Sequence, residues 1–145
     1  MDTKDKSIVC IGAGNVATHL SKALQQKGFQ LQQVYSRTEE SARTLANTLG
    51  CKWTNQLAQV YEQADVYIVS VKDAVLETVI DQLTHCNPDA LYLHTAGSMP
   101  MEVWKGKQKN YGVAYPMQTF SKQREVRMEE VPVSYTHLTL PTIRL

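Results

Sequence analysis

The feature that most constrains this chain is a short apolar run, Ser7–Ile11, that stops at a small-residue turn and passes directly into a segment of helical periodicity. The turn reads Ile11-Gly12-Ala13-Gly14-Asn15-Val16-Ala17, a G-x-G-x-x-A pattern. Behind it Val16, Leu20, Ala23 and Leu24 fall on one face and Gly28 ends the segment, which predicts a helix over Asn15–Lys27. Each small residue has a mechanical job. Gly12 permits the tight exit from the strand, Gly14 lets an anion approach the backbone, and Ala17 lets the helix pack close to the sheet. Unpaired N–H groups and the macrodipole at the helix start then favour negative charge.

The rest of the chain repeats this alternation. Gln30–Tyr35 alternates apolar and polar residues and predicts a second strand. Thr38 caps a helix over Glu39–Leu49, with Glu39 and Glu40 in its first turn and Gly50 just past its end. Lys52–Thr54 reads as a strand stub, and Asn55 opens a short helix carrying Leu57, Val60 and Tyr61. Val66–Val71 is a dense β-branched run, as in a strand covered on both faces. Asp73 is expected to cap a helix whose Val75, Leu76, Val79, Ile80 and Leu83 share one stripe. A strand at Leu91–His94, a helical turn at Met101–Lys105 and a sixth strand at Tyr111–Tyr115, stopped by Pro116, follow. Parallel neighbours need crossover helices, so the prediction is an α/β fold with a doubly wound, mainly parallel Rossmann sheet.

In that setting the opening turn reads as a dinucleotide site, with Gly12, Gly14, Asn15 and Val16 as cofactor-binding residues. The end of the second strand speaks to which dinucleotide. A site that prefers NAD places Asp or Glu there for the ribose 2′-OH, whereas this chain has Ser36-Arg37-Thr38. Arg37 offers a planar fork to a 2′-phosphate, and the Ser36 and Thr38 hydroxyls can donate to it. NADP(H) is therefore favoured over NAD(H). The plain alternative is that Arg37 is a solvated surface arginine.

Composition narrows the partners. The formal net charge is +1, which gives no footprint for nucleic acid or an anionic surface, and no base-stacking spacing appears among Trp53, Trp104 and the tyrosines. No apolar run reaches the roughly 18 residues of a membrane span, and Met1–Lys6 carries no signal-peptide pattern. The cysteines, Cys10, Cys51 and Cys86, form no CxxC pair, and His19, His85 and His94 lie far apart, so no metal site is expected. No P-loop or nucleophile elbow is present. The expectation is a cytoplasmic protein acting on a small molecule.

Three further turns belong where the carboxyl ends of parallel strands converge: Ser70-Val71-Lys72-Asp73, His94-Thr95-Ala96-Gly97-Ser98 and Tyr115-Pro116-Met117-Gln118-Thr119-Phe120. With Gly12-Ala13-Gly14-Asn15 they resemble the NADP-binding domain of the pyrroline-5-carboxylate reductase superfamily, over about residues 7 to 132. The resemblance is strongest to a bacterial branch with a C-terminal helical domain of unknown function. It implies an NADPH-dependent reductase of a small imino or keto compound, with Val71 and Lys72 as cofactor contacts. The family pattern has proline after that lysine, where this chain has Asp73, better read as a helix cap than as an acid catalyst. His94 and Ser98 are candidates for proton exchange and for donation to substrate. Against this, His94 reads as a core histidine and Ser98 as a helix cap; Tyr115 and Gln118 are candidates for the cleft floor. No catalytic residue is assigned. Alternatives from other classes are a non-catalytic NADP(H) sensor or regulatory module, and a deazaflavin-dependent NADP reductase.

The tail reads differently. Val133–Thr142 resembles the in-frame translation of a transposon-based sequencing adapter, so 133–145 is set aside from the fold as a non-native tail. The expected organisation is a cofactor-binding domain over 1–120, a connection over 121–132, and a missing helical C-terminal domain that completes the active site and forms a homodimer. On that expectation the chain alone binds NADPH but turns over little or not at all.

Overall fold

A computed structural model of the chain describes residues 6–95 and 99–114, and the backbone of 133–135. Strands β1 (Ser7–Ile11), β2 (Gln30–Tyr35), β3 (Lys52–Thr54), β4 (Val66–Val69), β5 (Leu91–His94) and β6 (Tyr111–Ala114) are joined through helices α1 (Asn15–Gln26), α2 (Glu39–Leu49) and α3 (Asp73–Asp81), together with short 3-10 turns. With a last strand, β7 (Val133–Tyr135), the sheet order is β3-β2-β1-β4-β5-β6-β7. All neighbours from β3 to β6 are parallel, which is the Rossmann arrangement. Strand order reverses between β1 and β4, so the connections leaving their carboxyl ends part and leave a crevice there.

Period-two alternation in the strands feeds two separate cores. Ile8, Cys10, Val66, Ile68, Leu91 and Leu93 face one side and pack with Leu20 and Leu24 of α1 and Leu45 and Leu49 of α2. Val9, Ile11, Tyr67, Val69 and Tyr92 face the other and pack with Leu76, Val79 and Ile80 of α3, Leu83 and Trp104. Burial on both faces explains why these strands are almost continuously apolar.

Several elements differ from the sequence expectation, each for a local reason. In β2 the register against β1 shifts between Ile8 and Val9, so Gln32 is an extra residue. That bulge puts Leu31 and Val34 against the same core, which strict alternation does not allow. The helix expected from Asn55 is a 3-10 turn over Leu57–Gln59. Thr54 Oγ1 accepts the Gln56 N–H (3.1 Å), and the Gln33 amide accepts the Tyr61 N–H (2.7 Å) while donating to the Gln59 carbonyl (3.3 Å). Side-chain partners thus take backbone groups that a longer helix would use.

The β4 strand stops at Val69, because Val71 and Lys72 form the connection into α3. The cap of α3 is Lys72, not Asp73; Asp73 stands in the first turn, where its charge complements the helix dipole. Val75, expected on the buried stripe, is 44% exposed, because it lies one position off the face carried by Leu76, Val79 and Ile80. Residues 133–145 were set aside from the fold, yet the backbone of Val133–Tyr135 pairs antiparallel with β6. The outer edge of β6 offers unpaired N–H and C=O groups, which any short extended segment satisfies, so the pairing does not bear on the origin of that segment.

Ile80 and Val75 make a paired test of the observed stripe. Ile80→Ala is expected to lower the unfolding free energy by about 2–5 kcal/mol and Val75→Ala by no more than about 0.5 kcal/mol, read from chemical denaturation.

Candidate functional site

The site begins where β1 leaves the sheet. Gly12 has φ +118, and a Cβ on it would lie 2.2 Å from the Ser70 carbonyl oxygen. Backbone conformation and the close approach of the β4 end therefore both demand glycine. Its N–H donates to the Tyr35 carbonyl at 2.7 Å, which ties the turn to the end of β2. Gly14 is different. It is exposed and extended (φ −79, ψ −166), and a Cβ there would meet nothing within 4 Å. The space in front of it is open, not filled by protein.

Gly14 is also the N-cap of α1, and the three α-helices among the described residues begin in different ways. Thr38 caps α2, its Oγ1 accepting the Ser41 N–H at 3.3 Å, with Glu39 and Glu40 in the first turn. In α3, Asp73 supplies an acidic first turn. Among the described helices only α1 has neither a side-chain cap nor an acid in its first turn. Its first N–H groups, at exposed Asn15 and half-buried Val16, have no acceptor within the helix. An uncapped, uncompensated helix start beside an open glycine suits a phosphate pair.

At the end of β2, Ser36 is half-buried and its N–H donates to the Thr54 carbonyl at 3.2 Å. Arg37 and Thr38 are exposed, and Arg37 makes no ion pair among the described residues. The nearest acid in sequence, Glu39, is held by Arg43 at 3.3 Å and so does not occupy Arg37. Thr38 accepts a hydrogen bond in capping α2, so its own hydroxyl proton remains available to donate. Across the switch point, half-buried Val71 and exposed Lys72 follow β4. Gly12, Gly14, Asn15, Val16, Ser36, Arg37, Thr38, Val71 and Lys72 thus all lie at the carboxyl ends of β1, β2 and β4.

His94 ends β5 and is fully buried. The Trp104 Nε1–H donates to His94 Nδ1 at 2.9 Å, so the ring proton is on Nε2, which donates to the Met99 carbonyl at 2.9 Å. Both nitrogens are engaged in the arrangement of a satisfied core histidine. Ser98, with Ala96, Gly97 and the turn from Tyr115 to Phe120, lies outside the described residues. The cysteines offer no nucleophile: burial pushes the Cys10 thiol up to about 12 and those of Cys51 and Cys86 to about 11.

Two residues of the predicted turns to which the sequence assigned no role meet at this edge. Thr95 Oγ1 donates to Ser70 Oγ at 3.0 Å, joining the ends of β5 and β4. The available signal was that each is the first polar hydroxyl residue after a buried strand. Nothing in the sequence links Trp104 to His94. Hollows of about 220 Å³ beside Gln33, Lys52 and Gln59 and of about 400 Å³ beside Pro88, Gly106 and Lys109 lie elsewhere on the surface. The second is at the amino ends of β5 and β6, opposite the crevice. Among the described residues no cluster of metal-ligating side chains occurs, and no helix is long and apolar enough to cross a membrane.

Burial holds the His94 imidazole below the usual 6.5, with the Met99 hydrogen bond and the Asp73 charge partly opposing. The unfolded chain therefore binds more protons in the window below 6.5. This contribution to stability is complete above 6.5 and declines as pH falls toward the folded value, by up to about 1.4 kcal/mol per pH unit. His94→Gln retains a donor and an acceptor but does not titrate, so its denaturation midpoint is expected to show a shallower loss than wild type between about pH 7 and pH 5.

Known proteins share this family and fold. The family model described as NADP oxidoreductase, coenzyme F420-dependent, matches residues 7–96. A candidate NADP oxidoreductase from Bacteroides fragilis is similar at 50% identity with TM-score 0.87, over 94% of this chain and 54% of that one. A pyrroline-5-carboxylate reductase from Coxiella burnetii shares 21% identity with TM-score 0.65, over 79% of this chain and 43% of its own. An imine reductase from Myxococcus stipitatus, solved with NADP+, shares 21% identity with TM-score 0.64, over 78% and 42%. At that identity the last two show a common fold. A comparison with curated proteins finds no match. The chain spans about half the length of the Bacteroides structure.

Proposed function

The chain belongs to the family described as NADP oxidoreductase, coenzyme F420-dependent, and from that premise we propose that it is the cofactor-binding part of an NADPH-dependent reductase of a small imino or keto compound. The observation that carries the reading is the open turn at Gly14, in front of the one described α-helix start without a side-chain cap or an acid. Gly12, Gly14, Asn15 and Val16 receive the paired phosphates on backbone N–H groups. Ser36, Arg37 and Thr38 receive the 2′-phosphate, which sets the preference for NADP(H). Val71 and Lys72 border the other half of the cofactor.

When bound, the cofactor supplies the hydride; the protein's part is to orient it and exclude water. His94 acts in this scheme as a fixed neutral support of the β5 end, since both its nitrogens already have partners. Support for an imino or keto substrate comes from the shared fold of the pyrroline-5-carboxylate and imine reductases. A second reading follows from the family description: a deazaflavin, coenzyme F420, as the partner in hydride exchange. The relatives are about twice as long, so the remaining length completes the active site and forms the homodimer in this proposal.

Fluorescence titration tests the cofactor assignment. Arg37→Ala is expected to weaken NADPH binding about tenfold to a hundredfold, the worth of a charge-assisted hydrogen-bonded pair, and to change NADH binding little. Equal losses for both nucleotides defeat the 2′-phosphate assignment. Gly14→Val fills the open space and is expected to weaken both. The 145-residue chain itself is expected to bind NADPH yet show little or no steady-state oxidation of it with imino acids, keto acids or a deazaflavin; robust turnover defeats the view that further chain is needed.

A further inference from the structure

We propose that the hollow at the amino ends of β5 and β6 binds a small zwitterion, an ammonium and a carboxylate on a short apolar body, as in an aliphatic α-amino acid. The hollow measures about 400 Å³ and is lined by Pro88, Gly106, Lys107, Gln108 and Lys109. It lies at the opposite end of the strands from the glycine turn, and the inference does not rest on the cofactor reading.

Gln108 is the buried polar residue of this hollow. It is only 8% exposed, and its Nε2 donates to the Leu83 carbonyl at 3.2 Å. A carbonyl can only accept, so that bond fixes which end of the amide is which. The other end, Oε1, accepts no hydrogen bond among the described residues. The Gln108 N–H donates to the Trp104 carbonyl at 3.1 Å, so backbone and side chain are both held. A buried amide oxygen without a donor is costly, and a donor from outside the chain completes it. One water satisfies the amide but, at about 30 Å³, leaves most of the hollow unfilled. Beside Gln108, Gly106 has φ +81, and a Cβ there would meet nothing within 4 Å, so the turn itself leaves room.

The rim sets the charge pattern of the ligand. Lys107 Nζ pairs with Asp81 at 2.8 Å, and Lys109 Nζ pairs with Asp89 at 2.5 Å. Each lysine that lines the hollow thus brings an aspartate with it, and the two pairs together are neutral. Both pairs are largely exposed, and exposed pairs are weak, so either opens at little cost. An anion alone gains a lysine but leaves an aspartate unpaired. A zwitterion replaces both partners at once: its carboxylate meets the lysine, while its ammonium donates to the aspartate and to Gln108 Oε1. The Pro88 ring and the lysine methylene stems supply apolar surface for the body between the two charges.

Three probes separate the charges: L-valine, 3-methylbutanoate, which lacks its ammonium, and isobutylamine, which lacks its carboxylate. Nuclear magnetic resonance titration of the full 145-residue chain is expected to show saturable shifts with L-valine. They should centre on the backbone amides of 106–109 and the Gln108 side-chain amide, and leave those of Gly12–Val16 unmoved. Each analogue should bind at least about tenfold more weakly, having lost one charge-assisted contact. Gln108→Met, which removes the amide oxygen, and Lys109→Gln should each weaken L-valine about threefold to tenfold. The absence of saturable shifts up to about 10 mM L-valine overturns the proposal. So does equal binding of 3-methylbutanoate, which marks an anion site only, or unchanged affinity in either variant, which leaves the amide to water. If Gln108→Met does not fold, Lys109→Gln decides, since it alters one exposed side chain.

Discussion

Where β1 ends, the chain passes so close to the β4 end that a Cβ on Gly12 would sit 2.2 Å from the Ser70 carbonyl. Much else follows from that contact. It lies beside the paired ends of β1 and β4, at the point where strand order reverses. It lets the Gly12 N–H reach the Tyr35 carbonyl, which draws the end of β2 to the same edge. It also releases the chain into α1 with Gly14 facing open space. A larger residue at Gly12 would strain the backbone and push β4 away, disturbing every group assembled at the carboxyl ends.

The electrostatics of that edge come from what the helix starts lack as much as from what they carry. The starts of α2 and α3 are provided for internally, one by Thr38 and two glutamates, the other by Asp73. The start of α1 has neither provision. Glu39, next in sequence to the Ser36–Thr38 turn, pairs with Arg43 along the helix and not with Arg37. Behind that edge, His94 and Trp104 satisfy each other in the interior, so that face of the sheet offers rigidity and not proton exchange.

Secondary structure was legible wherever the residues near in sequence decide the outcome. Ser7–Ile11, Gln30–Tyr35, Glu39–Leu49 and Leu91–His94 emerge with the expected bounds, because apolar period, Thr38 and Gly50 are local signals. Expectations failed where a distant group intervened. The Gln33 side chain takes up the backbone around Gln59 and Tyr61 and leaves a 3-10 turn in place of a helix. A one-residue bulge in β2 reassigned its faces. Val75 fits an apolar stripe in sequence, but it lies one position off the face that α3 buries through Leu76, Val79 and Ile80.

The sequence by itself determined the order of elements, the parallel sheet and the glycine turn that suits a phosphate pair, since each depends on steric and hydrophobic rules acting over a few residues. It also placed Arg37 just past the end of the second strand, because that position is defined by the fold pattern. Only the tertiary structure decided which groups meet across that pattern. Ser70 with Thr95, His94 with Trp104, and Gly12 with the Ser70 carbonyl are contacts between segments far apart or on different elements. They are fixed by strand order and register, and those are settled by how both faces of one sheet are covered at once.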